Sequence, residues 1–135
     1  MTTGSAAKAA VSLGVLALLI TAARLTGDAA GASAADVARG QYLVGPAGQC
    51  SDCHGAALGG GPNRIPGPPG VPWAPSVPSL VGLTMFATDA QAVAFFETGA
   101  LPDGSEARPP MPEYRFNEAD AQAIVAYLRS LKGGS

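Results

Sequence analysis

Both cysteines and the single histidine of this 135-residue chain fall within five consecutive residues, Cys50-Ser51-Asp52-Cys53-His54. Two cysteines and one histidine scattered at random would produce this arrangement in about one chain in ten thousand. Two thiols three residues apart on a tight turn can each add across one vinyl group of a haem, giving two thioether bonds. The adjacent His54 then lies close to the iron and can supply an imidazole nitrogen as proximal ligand. The pattern therefore predicts one covalently attached haem c on Cys50, Cys53 and His54. Rival chemistries fit less well. A structural zinc site needs four protein ligands, usually Cys or His, and this chain has three of those types, all in one turn. A thioredoxin-like dithiol belongs on a βαβ scaffold, and no such pattern is visible. A disulfide across so small a ring would stabilise little.

An iron held on one side leaves a sixth position, and methionine sulfur is the natural soft ligand for it. Only Met1, Met85 and Met111 are present. Met1 lies in an N-terminal segment of export character. Met85 stands beside Phe86, just ahead of a helical pattern, and reads as packing. Met111 sits in Arg108-Pro109-Pro110-Met111-Pro112, where three prolines are expected to hold the backbone extended and preset, so that the sulfur is presented at low entropic cost. Met111 is accordingly read as the sixth ligand. A thioether favours ferrous iron, so a His54/Met111 pair implies a raised reduction potential.

The elements that must position these residues are helical. Asp36 to about Gly45 reads as a short helix ended by Gly45-Pro46, and Cys50 to Ala57 as a turn or short helical piece. Gly59 to Pro78 holds seven prolines, which exclude a regular helix or central strand. Ile65, Val71, Trp73 and Val77 are interspersed there, so the segment is expected to wrap over something apolar rather than to act as a disordered linker. Thr88 with Gln91 forms a capping box for a second helix carrying Val93, Phe95 and Phe96, and Gly99 stops it. A second proline-bearing loop runs from Ala100 to Phe116. Asn117 caps the last helix, with Glu118 and Asp120 in its first turn and Lys132 in its last. Ala121, Ile124, Val125, Leu128 and Leu131 line one face of that helix. No strand pattern or repeat is apparent. The expectation is an all-α fold with long proline-rich loops.

Composition narrows the function classes. Lys8 precedes a run from Ala9 to Ala23 of 15 uncharged residues, and small residues follow from Thr26 to Ala35. This is the anatomy of a secretory signal, with cleavage after Ala32 or Ala34. An uncleaved anchor is the alternative, although a spanning helix wants at least roughly 17 apolar residues. Residues 1–34 are thus expected to form a signal peptide or anchor and residues 35–135 the folded, periplasmic or otherwise exported domain. From Ala35 onward, nine acids face six bases, which argues against nucleic-acid binding and is too scattered to define a docking face. With four Phe, three Tyr and one Trp in the whole chain, the core is thin, and such a small domain needs a disulfide, metal or cofactor to stabilise it.

Taken together, the attachment motif, the proline-flanked methionine 57 residues after the histidine and the closing apolar helix resemble a class I c-type cytochrome over about Asp36 to Leu131. Gly40-Gln41-Tyr42-Leu43 through Cys53-His54-Gly55, Thr98-Gly99 with Pro102-Asp103-Gly104, and Met111-Pro112 with Tyr127-Leu128 are similar to cytochrome subunits of membrane-bound dehydrogenases. Those subunits typically carry three haems, whereas this chain has one motif. The resemblance implies a small cytochrome c-like helical domain around one haem. It also implies crossed first and last helices, with Gly40 permitting close approach beside Tyr127 or Leu128. A proline carbonyl would accept the His54 ring N–H, and Gly61-Pro62-Asn63 resembles that segment, although it comes early. Trp73, Tyr114 and Arg115 are either haem-propionate contacts or ordinary loop packing.

The function expected is electron transfer by a carrier or an electron-relay subunit, with His54 and Met111 filling the iron's axial positions. The redox partner would be a dehydrogenase, a quinol-oxidising complex or a terminal oxidase. The alternative is a peroxidase-like haem enzyme or ligand sensor with an open or displaceable sixth position. That reading wants a distal acid or base, and the one histidine is already committed.

Overall fold

Helix α1 (Ala34–Tyr42) starts at Ser33. The Ser33 hydroxyl accepts from the Asp36 amide, and the Asp36 carboxylate accepts from the Ser33 amide. This reciprocal capping satisfies two donors that a helix start leaves free. The helix thus begins two residues before the expected Asp36. The structure, a computed structural model, describes residues 31–132. The expected export segment, up to its last few residues, lies outside that range.

Gly45-Pro46 does not end the first helix. The chain continues through a π-helical turn, Leu43–Ala47, closed by the Gly48 amide donating to the Leu43 carbonyl at 2.8 Å. A proline ring crowds the carbonyl four residues back, and a widened turn gives it room. Gln49 then adopts a positive φ of 49°, and the chain enters the one-turn helix α2 (Ser51–His54).

The region from Gly59 to Pro78 is loop, as expected, with one exception. Strands β1 (Gly61–Pro62) and β2 (Ser76–Val77) pair antiparallel, Gly61 opposite Val77 and Pro62 opposite Ser76. Of the four apolar residues expected to wrap inward, Ile65 and Val71 are exposed instead, and the Trp73 ring lies over Gly67.

A 3₁₀ turn (Val81–Leu83) leads to α3 (Asp89–Thr98). Helix α3 has the predicted Thr88–Gln91 capping box and a left-handed Gly99 at its end, φ 79°. Helix α4 (Glu118–Ser130) is capped by the Asn117 side chain accepting from the Asp120 amide at 2.9 Å. It stops before Leu131, so the basic residue of its last turn is Arg129 rather than Lys132.

Helix α4 packs on α1 and α3. Its buried Ala121, Ile124, Val125 and Leu128 join Leu43, Val44, Phe86, Phe95 and Phe96 in one cluster. The predicted crossing is present. A Cβ added at Gly40 would meet the Ala123 carbonyl, with the Ala123 carbonyl carbon and the Tyr127 Cβ both at 2.7 Å. Beside it, the Arg39 guanidinium donates to both oxygens of Asp120, at 2.9 and 3.2 Å. At the other end of α4, Arg129 donates to the carbonyls of Gly82 (2.7 Å), Leu83 (3.2 Å) and Phe86 (3.1 Å) and to Asp89 (2.8 Å). One guanidinium thereby fixes the turn in front of α3. The result is the expected mainly helical fold, with loops enclosing one side.

Candidate functional site

The first turn of chemistry is α2 itself. The His54 amide donates to the Cys50 carbonyl at 2.9 Å, and this tight winding brings Cys50, Cys53 and His54 to the edge of one cavity of about 310 Å³. No disulfide joins the two cysteines; Cys50 is half-buried and Cys53 exposed. Burial pushes the Cys50 thiol pKa up.

His54 is 4% exposed, the one buried polar side chain among the described residues. Its Nδ1 lies 2.8 Å from the Pro78 carbonyl. A carbonyl can only accept, so Nδ1 carries the hydrogen and donates it. The neutral ring then keeps its lone pair on Nε2, the tautomer that can ligate a metal. The expected acceptor was Pro62. That residue is exposed in β1, and the ladder with β2 instead carries the later Pro78 under the imidazole.

Met111 and Met85 border the same cavity. Met111 is partly buried against the core, whereas Met85 is 42% exposed. The Met111 loop is not extended. Arg108 to Met111 forms a turn closed by the Met111 amide on the Arg108 carbonyl at 3.2 Å, with the Pro109–Pro110 bond cis. The loop is tied on two sides. The Ala74 amide donates to the Pro109 carbonyl at 2.8 Å, and the Tyr114 hydroxyl donates to the Gly48 carbonyl at 3.0 Å.

Of the three residues named as possible propionate contacts, Tyr114 alone borders the cavity. Its ring stacks on Phe116 at 5.2 Å, and burial, followed by the neighbouring Cys50, pushes its phenol pKa up. Trp73 donates its indole N–H to the Ile65 carbonyl at 2.8 Å. Arg115 donates to the Thr98 carbonyl and pairs with Glu113. Both are loop packing. Sequence reasoning did not single out Arg108, the one formally charged side chain bordering the cavity among the described residues. Its place in the proline-flanked segment beside Met111 was the available signal.

The remaining walls are apolar, built largely from Pro75, Val77, Leu80, Phe95, Leu101 and Pro110. Two thiols, a ligating imidazole tautomer, two thioethers and one guanidinium all border the cavity. That donor set suits a flat apolar macrocycle with a central metal and peripheral carboxylates. It does not suit a hydrated ion, and no cluster of three or more Cys, His, Asp or Glu able to hold a metal by themselves occurs among the described residues.

The family model described as Cytochrome c matches residues 37–132, which include all of these site residues. No curated protein matches the chain.

Proposed function

Because the chain belongs to the cytochrome c family, whose members transfer electrons through covalently bound haem c, we propose that it carries one haem on the Cys50 and Cys53 thiols, with His54 and Met111 as axial ligands. The observation that carries this reading is the shared cavity. It is bordered by both thiols, by an imidazole whose Nδ1–H is taken by Pro78, and by Met111. The bound haem supplies a one-electron iron couple. The Cys50 and Cys53 thiols would hold the haem as thioethers, each S–H adding across one vinyl group with no net oxidation. The Pro78 bond holds the His54 ring in one tautomer and orientation and raises its basicity. Met111 would ligate the iron from a loop tied at Pro109 and Tyr114. The apolar walls exclude water, which disfavours the extra positive charge of ferric iron and raises the potential in the same direction as a thioether. Arg108 is suited to a haem carboxylate.

With both axial positions filled by side chains, the protein acts as a carrier or relay subunit rather than as a catalyst. Its partners are redox proteins. A dehydrogenase, a quinol-oxidising complex or a terminal oxidase would each fit, and the character of residues 1–34 supports a periplasmic or otherwise exported location, free or anchored at the membrane. No helix among the described residues is long and apolar enough to cross a membrane.

The test is an optical spectrum of the protein from a host able to attach haem c. A reduced α-band in the c-type region is expected, together with a weak far-red band in the oxidised state that disappears in Met111→Ala and persists in Met85→Ala. Covalent haem without the far-red band would move the haem-enzyme or sensor reading ahead, and no covalent haem would refute the proposal.

A further inference from the structure

Five consecutive residues, Ala74 to Pro78, border the cavity. The two ends of this span bond to His54 and to the loop that carries Met111. At one end the Pro78 carbonyl accepts from His54 Nδ1 at 2.8 Å. At the other, the Ala74 amide donates to the Pro109 carbonyl at 2.8 Å, two residues before Met111. Four residues of extended chain cover only about 13 Å, so displacement of one end is poorly absorbed before the other.

Pro75 and Pro78 have no amide N–H, so at those positions the span can be gripped only through its carbonyls. One residue grips it from outside. The Asn63 side-chain amide donates to the Ala74 carbonyl at 2.8 Å, and its backbone amide donates to the Pro75 carbonyl at 3.0 Å. The Asn63 side-chain oxygen accepts from the Ile65 amide at 3.0 Å, which fixes the side chain's orientation. The β1–β2 pairing continues the grip through Ser76 and Val77. Asn63 does not itself border the cavity.

We propose that the Ala74–Pro78 span is a common brace setting the proximal histidine and the Met111 loop together, and that Asn63 is the positioning residue that locks it. The inference rests on the axial assignment of His54 and Met111 given above. It adds that the two sides of the haem are mechanically coupled through the polypeptide.

The test compares haem-loaded wild type with Asn63→Asp. This isosteric change keeps the acceptor for Ile65 but sets a carboxylate oxygen against the Ala74 carbonyl. In the reduced protein, proton exchange is followed at the His54 ring N–H and the Ala74 amide. In the oxidised protein, added imidazole is titrated against the far-red band. Loss of one hydrogen bond predicts a rise of about threefold to tenfold in both exchange rates and in imidazole affinity. A lower unfolding midpoint with exchange and affinity unchanged would make Asn63 merely structural and overturn the inference, as would a change on one side only. The wild type gives a check that needs no substitution. In subdenaturing urea the His54 ring N–H and the Ala74 amide should exchange with a common denaturant dependence, and separate dependences would overturn the brace. Absence of the far-red band in wild type would remove the axial assignment and this inference with it. Its presence with an unresponsive variant sinks the brace alone.

Discussion

Replacing Gly40 by alanine tests the helix crossing that carries the chain into the attachment motif. The added Cβ would sit 2.7 Å from the Ala123 carbonyl carbon and 2.7 Å from the Tyr127 Cβ, where ordinary contact begins at 3.4 Å. The obstructing atoms are backbone or Cβ, so no rotamer change relieves them. Helices α1 and α4 must move apart by at least about 0.7 Å at the crossing, because the Ala123 carbonyl oxygen lies closer still. A gap of 0.5–1 Å forfeits roughly a quarter to a half of each dispersion contact it opens, and overpacking of this kind costs about 1–3 kcal/mol. With no flexible neighbour to yield, the upper end applies. Alanine recovers about 1 kcal/mol through its better helix propensity, leaving a net loss of about 2 kcal/mol. Against a typical domain stability of roughly 5–15 kcal/mol, that is a large fraction. Urea unfolding of the haem-loaded protein measures it as a fall in midpoint with the slope unchanged. Gly59→Ala is the control, because nothing lies within 4 Å of its Cβ position and its φ is not left-handed; it is expected to be neutral or slightly stabilising. Equal effects of the two substitutions would refute the close-approach reasoning.

Two further perturbations probe the scaffold. Arg129→Lys keeps the charge but cannot reproduce a planar fork over three carbonyls and Asp89. We expect a loss of about 2 kcal/mol, read as a lower urea midpoint; an unchanged midpoint would show that the fork contributes nothing. Stability should also fall in acid. The Arg39 hydrogen bond holds the Asp120 carboxyl below its usual range, and Ser33 and Ser105 do the same for Asp36 and Asp103. A lowered folded pKa adds stability that is present above the unfolded value, near 4, and is lost as pH falls through the folded value. Unfolding midpoints measured from pH 7 to pH 2 should therefore drop below about pH 4, with a shallower drop in Asp120→Asn. Identical profiles for wild type and variant would refute the Asp120 contribution.

Local signals carried much of the structure. The Thr88–Gln91 capping box, the left-handed Gly99 and the Asn117 cap depend on residues within a few positions of one another, and each acts as predicted. The clustering of Cys50, Cys53 and His54 at a cavity follows from one turn of helix. Three features depend on the path of the chain instead. Every residue has a carbonyl, so the choice of Pro78 over Pro62 for His54 was settled by a two-residue strand pairing too short to leave a pattern. Pro46 reads as a stop, but it is tolerated because the turn around it widens. Ile65 and Val71 look like inward-facing residues of a wrapping loop, yet the brace they flank is made of Ala74 to Pro78, whose prolines signalled only irregularity.

The solitary histidine also bears on how the chain refolds. A haem joined through thioethers stays tethered when the protein unfolds, and its iron then samples whatever nitrogen bases the loose chain brings near. In chains with several imidazoles, the wrong one can bind and must dissociate before folding proceeds, a kinetic trap of the kind that populates intermediates. This sequence has His54 alone and two lysines, Lys8 and Lys132, far from the motif along the chain. Its unfolded ensemble has no second imidazole to capture the iron, so refolding near neutral pH should proceed without a histidine-misligated phase.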